Sequence, residues 1–257
     1  MKTTISTIAI CLALALAAAL PAHAADQPNA DTILKQMSDK LGAARQFSFK
    51  ATRTIDSGLA AAKGVQANAK IEVTVKRPNH IYVFSSASKD VRRMYADGSK
   101  LTIYDGKESL YSSVPMKASL DAMPAFLAKK YSFEPPLVSF VVSSPYKDIH
   151  ARGSKLTYAG TANVPSGFLG LGSTPCHRIG LSTKGSYAEL WIATGDSLPR
   201  KLTVVPKGHE TPWVTINFTS WNLAASVSDG MFTFTPPKDS YPIPMVTTDE
   251  MKSAKKK

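Results

Sequence analysis

Hydrophobic and polar positions change period several times along this chain. Between Asp31 and Ala44, residues Ile33, Leu34, Met37 and Leu41 fall at helical spacing, which predicts a first helix with Asp31 as its N-cap. From Phe47 the period becomes two. Ile71, Val73 and Val75 alternate with Glu72, Thr74 and Lys76, the pattern of a strand with one buried face. Arg77-Pro78-Asn79 marks a turn, and Ile81 to Phe84 resumes extended structure. Asp97-Gly98 and Asp105-Gly106, flanked by apolar runs such as Leu101 to Tyr104, predict two hairpins, because tight hairpin turns need residues that tolerate positive φ.

The middle of the chain breaks this alternation. Leu120, Met123, Phe126 and Leu127 predict a helix within 119–131, with Pro124 placing its true start near Met123. Leu137 to Val142 is a short apolar run compatible with a helical turn or a strand. Pro145 opens another turn of helix. After Gly153, alternation returns at 156–158, 176–181, 187–193, 201–205, 213–221 and 232–234. The total is about eleven strands with two helical interruptions, a mainly β (α+β) fold of antiparallel barrel or sandwich type. No internal repeat or Pro/Ser-rich linker divides the chain.

The first 24 residues have a different character. Lys2 precedes the apolar run Ile8 to Leu16, and Ala22-His23-Ala24 fits a small-x-small cleavage site. This predicts a cleavable export signal at 1–24, a single domain at 25–240 and a basic, disordered tail at 241–257. The signal carries one lysine and no acid, so its removal lowers the formal net charge of +12 by one. Cys11 leaves with it, and Cys176, set in an alternating strand, is expected as a buried core thiol. Export counts against nucleic acid as partner. The terminal cluster Lys252, Lys255, Lys256 and Lys257 instead suits peripheral contact with an anionic membrane surface.

Catalytic and metal motifs are missing from the sequence. His80, His150, His177 and His209 stand in separate segments without a local metal-binding partner. Cys176 and His177 are adjacent in a strand, so their side chains diverge. There is no Gly-x-Ser-x-Gly, and Gly167 to Gly172 is a glycine-rich run between strands, out of context for a phosphate loop. No enzyme activity, cofactor or metal is expected. Phe168, Leu169 and Leu171 place apolar residues at a hairpin tip. A tip folded back over its own barrel is the favoured reading, and a membrane-contact loop is the alternative.

Several ordered segments carry a resemblance. Tyr104-Asp105-Gly106-Lys107, Ser144-Pro145-Tyr146, Pro175-Cys176-His177, Leu198-Pro199-Arg200-Lys201-Leu202, Trp221-Asn222-Leu223-Ala224 and Phe232 to Pro237 together resemble the predicted periplasmic family called domain of unknown function 2092. That family is similar in architecture to the lipoprotein-localisation factors of the LolA/LolB-like fold. The resemblance implies a periplasmic, incomplete antiparallel β-barrel with a helical lid over an apolar cavity. In that picture Phe126, Leu127, Leu137, Phe140 and Val141 face the cavity. The expected function is binding or carriage of an apolar small molecule, lipid or lipoprotein acyl chain. The alternatives are a non-catalytic envelope adaptor with a filled core, and a hydrolase built around His177 or Glu189.

Overall fold

The computed structural model describes residues 28–62, 65–88, 90–135, 137–167 and 171–254, so the predicted export signal lies outside the described residues. The alternating segments form one twelve-stranded sheet. Its first meander comprises β1 (Gln46–Ile55), β2 (Asn68–Lys76), β3 (His80–Ala87), β4 (Asp90–Asp97), β5 (Lys100–Asp105) and β6 (Leu110–Pro115). The second comprises β7 (Lys155–Ser166), β8 (Gly172–Ser182), β9 (Ser186–Ala193), β10 (Pro199–Pro206) and β11 (Val214–Asn222). β1 pairs antiparallel with β11 and joins the halves, while β12 (Tyr241–Pro242) adds in parallel to β6. The order is β12-β6-β5-β4-β3-β2-β1-β11-β10-β9-β8-β7, and its ends do not meet. The barrel is therefore open, as the resemblance implies.

Strand parity gives the sheet an inner face, which the helices cover. Phe47, Phe49 and Ala51 of β1 share it with Ile71, Val73 and Val75 of β2, all of them buried. α1 (Ala30–Ala43) lays its apolar stripe, Leu34, Met37 and Leu41, against the inner side near β7, β8 and β9. After a short helix α2 (Ser57–Ala62), the excursion between β6 and β7 supplies α3 (Met123–Tyr131), a 3₁₀ turn at Val138–Phe140 and α4 (Pro145–Ala151). Pro124 occupies the first turn of α3, where its missing N–H costs nothing.

One side chain ties these covers together. The Arg77 guanidinium, at the β2–β3 turn, donates to the carbonyls of Leu41 (3.4 Å) and Ala44 (3.1 Å), just where α1 ends, and to Val141 (2.7 Å) and Val142 (2.9 Å) after the 3₁₀ turn. They lie where helical turns end and carbonyls lose their intrahelical partners, although the Leu41 carbonyl also accepts from the Ala44 N–H. Beside this clasp, Gly42 packs so closely that a Cβ there would stand 2.5 Å from the carbonyl oxygen of Ser143. Ser143 is itself held by Asp121, which accepts from its N–H and its hydroxyl.

Three local expectations are corrected. The N-cap of α1 is Asn29, whose Oδ1 accepts from the N–H groups of Asp31 and Thr32. Asp31 instead accepts from the Tyr146 hydroxyl at 2.9 Å, binding α1 to α4. Residues 232–234 are not a strand, because Phe232 ends a 3₁₀ turn (Asp229–Phe232) and meets His80. Phe234 then fills a cup of Tyr95, Tyr104 and Tyr111 on the outer face. The tail is structured through residue 254. The N–H groups of Tyr241 and Ile243 donate to the carbonyls of Ser109 and Tyr111, shielding the β6 edge. α5 (Thr248–Ala254) opens on a reciprocal Thr247–Glu250 cap, and the Thr248 hydroxyl donates to the carbonyl of Lys129 in α3.

Arg77→Met removes four charge-assisted hydrogen bonds at once, and of the four carbonyls Leu41 keeps the Ala44 N–H. It is expected to lower unfolding free energy by about 2–4 kcal/mol, measured by urea titration. Gly42→Ala should also destabilise, since the obstructing atom belongs to backbone.

Candidate functional site

The inner face is not covered uniformly. Toward β11, an aromatic cluster fills the space. Phe49 lies 4.6 Å from Trp221 and 5.7 Å from Phe218, and Phe140 meets Phe218 at 5.1 Å. Toward β2 to β5, the lid segment stands away from the sheet and leaves a cavity of about 370 Å³. Its floor is set by register. Ile81, Val83, Met94 and Ile103 belong to consecutive inner-face rows, in which Val83 pairs with Met94 and Met94 with Ile103. Val73 completes the floor, and Met123, Phe133, Leu137, Val138 and Val141 form the roof.

Leu137 is held in the left-handed region, at φ 62° and ψ 14°. That conformation costs a non-glycine residue on the order of 1 kcal/mol or more. It is maintained between buried Pro135 and buried Val138, and Leu137 is thereby kept at the cavity wall.

Polarity rises toward one end of the same rows. Two residues beyond Val83, Met94 and Ile103, the next inner row reads Ser85, Arg92 and Asp105. Arg53 stands at the same end on β1, after Phe47, Phe49 and Ala51 on that strand's inner face. Arg92 donates from Nε to Asp105 at 3.2 Å. Arg53 donates one Nη2 bond to the carbonyl of Gln66 at 3.0 Å, whereas its buried Nε has no partner among the described residues. Burial, and then the charge of Arg92, hold the Arg53 guanidinium below its ordinary pKa. Arg93 belongs to the outer face, where its guanidinium lies over the rings of Phe84 and Tyr104.

The residues singled out from sequence divide among three environments. Leu137 and Val141 line the cavity. Leu127 and Phe140 are buried in the core away from it, and Phe126 is half-buried beside Tyr131. Of the hairpin-tip residues, Leu171 is 87% exposed, while Phe168 and Leu169 lie outside the described residues. Arg53 and Arg92 carry a signal in the sequence, because both continue the period-two series of buried neighbours. A resemblance that directs attention to the lid leaves the floor unread.

Comparison with known proteins places the chain. A family model described as Predicted periplasmic protein (DUF2092) matches residues 30–246. None of the curated proteins matches. Among solved structures, MucB is similar at 12% identity and TM-score 0.46, over 82% of this chain and 64% of that one. The MucA/MucB complex of Pseudomonas aeruginosa is similar at 13% identity and TM-score 0.40, over 80% and 61%. A LolA superfamily protein of Nitrosomonas europaea is similar at 10% identity and TM-score 0.34, over 81% and 99%. The chain thus spans less than two thirds of the MucB chains it matches.

Cys176, His177 and Glu189 lie away from the cavity. Cys176 is buried beside Val164, Ala193 and Trp191, and burial pushes its thiol pKa up. His177 and Glu189 lie on opposite faces, since His177 pairs with Ile192 and Gly180 with Glu189. His177 meets the Tyr158 hydroxyl at 3.2 Å. Glu189 accepts from both Nε and Nη2 of Arg178, at 2.9 and 2.8 Å, and from Nε1 of Trp191. The Trp191 ring lies between Arg178 and Lys201. Burial opposes ionisation of Glu189, but the hydrogen bonds from Arg178, Trp191 and Tyr187 prevail and hold its carboxyl below its ordinary value. Its contribution is therefore present above the unfolded pKa of about 4.3 and is lost as pH falls through the lower folded value. Glu189→Gln should weaken the protein at neutral pH and flatten its loss of stability between about pH 5 and pH 3, followed by thermal melts across that range.

Proposed function

Since the chain belongs to the DUF2092 family of predicted periplasmic proteins, we propose that it is a periplasmic binding or carrier protein. It holds an acyl chain, a lipoprotein lipid or another apolar ligand in the half-barrel beneath the lid. The carrying observation is the cavity of about 370 Å³, with an aliphatic floor and a roof from the inserted segment. That volume falls within the range of small-molecule sites. Transfer of each methylene from water contributes about 0.8 kcal/mol, set against the cost of association. The roof is continuous with the residues clasped by Arg77, so ligand exchange is proposed to proceed by movement of the lid between α3 and Val142.

The filled aromatic half supports a second reading, a non-catalytic adaptor that uses its outer surface. Val83→Trp separates the two. It fills the cavity from the floor while leaving the outer face unchanged. The carrier reading expects lipid recovered from natively purified protein, detected by mass spectrometry of the extract, to be lost in this variant. It also expects affinity for a neutral fluorescent apolar probe to drop by about tenfold or more. Native protein free of lipid and unable to take up the probe points to the adaptor.

A further inference from the structure

The cavity is polarised along its length. At the end near the β2–β3 turn, Ile81, Ala96 and Leu101 form an apolar inner row. Four residues farther along β3, about 13 Å at strand rise, the row is Ser85, Arg92 and Asp105, with Arg53 on the neighbouring side. Arg53 and Arg92 also both line a small annex of about 50 Å³ that continues from this end. Their strands are three spacings apart, about 14 Å, with Ala69 and Ile71 of β2 and Ser85 of β3 on the inner face between them. The two side chains therefore border the same cavity and the same annex.

The charges at this end are not balanced within the main cavity. Arg53 and Arg92 face it, with Asp105 as the opposing acid, and Asp90 lies in the annex. Asp105 is already engaged by Arg92 and by the N–H groups of Lys107 and Glu108. Arg53 uses Nη2 toward the Gln66 carbonyl, and its buried Nε has no acceptor among the described residues. A guanidinium has five donors in a planar fork suited to carboxylate or phosphate oxygens. A buried donor left unmade is costly, and a ligand oxygen placed there removes the cost.

We propose that this end is a head-group subsite, and that the protein prefers long-chain amphiphiles with an anionic head, a carboxylate or a phosphate, held by Arg53 and Arg92. The alkyl chain then lies along Val83, Met94 and Ile103 toward Ile81 and the lid. This rests on the binding reading above and adds a selectivity which that reading does not require.

The test is displacement of a neutral apolar probe from the purified protein by hexadecanoic acid, 1-palmitoyl lysophosphatidic acid, hexadecanol and inorganic phosphate, each soluble ligand kept below its micelle threshold. The acid and the lysophosphatidic acid should bind about tenfold or more tighter than the alcohol, the worth of one charge-assisted contact. Arg53→Met should bring acid and alcohol close together while leaving the alcohol unchanged. Ser85→Glu, which places a repelling carboxylate in the subsite without touching Arg53, should weaken the acid selectively. Equal binding of acid and alcohol by the unmodified protein, or an unaltered ratio in both variants, overturns the subsite while leaving the carrier reading intact. Phosphate displacing the probe as well as lysophosphatidic acid also overturns it, marking a free-anion site. Failure of every amphiphile, with the probe itself unbound, defeats the carrier reading instead.

Discussion

The open sheet depends on one constraint: its apolar inner face must be covered by segments that belong to neither edge. Two covers do this, α1 on one side and the inserted lid on the other. They meet at the Arg77 guanidinium, which satisfies carbonyls of both. Burial draws the Arg77 pKa down, yet a guanidinium stays charged, so the clasp persists at any physiological pH. Because Arg77 stands at the β2–β3 turn, the same contact fixes where the lid begins to diverge from the sheet. Gly42 lets the end of α1 approach the Ser143 carbonyl, which completes the junction.

From that junction the two halves of the interior differ for a physical reason. Phe49, Phe140, Phe218 and Trp221 bring large rings to one region, where they pack against one another. Over β2 to β5 the floor is aliphatic or short, and the lid crosses above it without enough side-chain volume to reach down. The question of a filled or hollow barrel thus has two answers within one molecule. The hollow half is graded from aliphatic to cationic along the strands. A chain with a charged head has a matching gradient, which an apolar cavity lacking Arg53 and Arg92 would not offer. The C-terminal segment adds a further restraint, linking the β6 edge to α3 through Ser109, Tyr111 and Lys129.

Much of this was legible in the chain. Period-two alternation, two Asp-Gly turns and Pro124 located most strands and the start of α3, because hydrophobic period reports local geometry directly. Cys176 was readable as a core thiol for the same reason. The Thr247-x-x-Glu250 cap of α5 is also present in the sequence, beside a terminal lysine cluster whose composition favours a solvated tail. Phe232 and Phe234 misled in the opposite direction. Their alternation resembles a strand, although what they do is plug aromatic gaps on the outer face.

Sequence by itself determined the mainly β architecture, its antiparallel meanders and the helical insertion, since each follows from the spacing of neighbours in the chain. It also carries the parity that sets Arg53 in step with Phe47, Phe49 and Ala51, and Arg92 in step with Met94 and Ala96. Only the tertiary structure decided that Arg53 and Arg92 stand at one end of the same cavity, that Leu137 and Val141 line it while Leu127 and Phe140 do not, and that Arg77 joins α1 to the lid. Those outcomes depend on inter-strand register and on contacts between segments far apart in sequence. A periodic pattern assigns a face to each side chain, but it carries no information about which distant residue will meet it there.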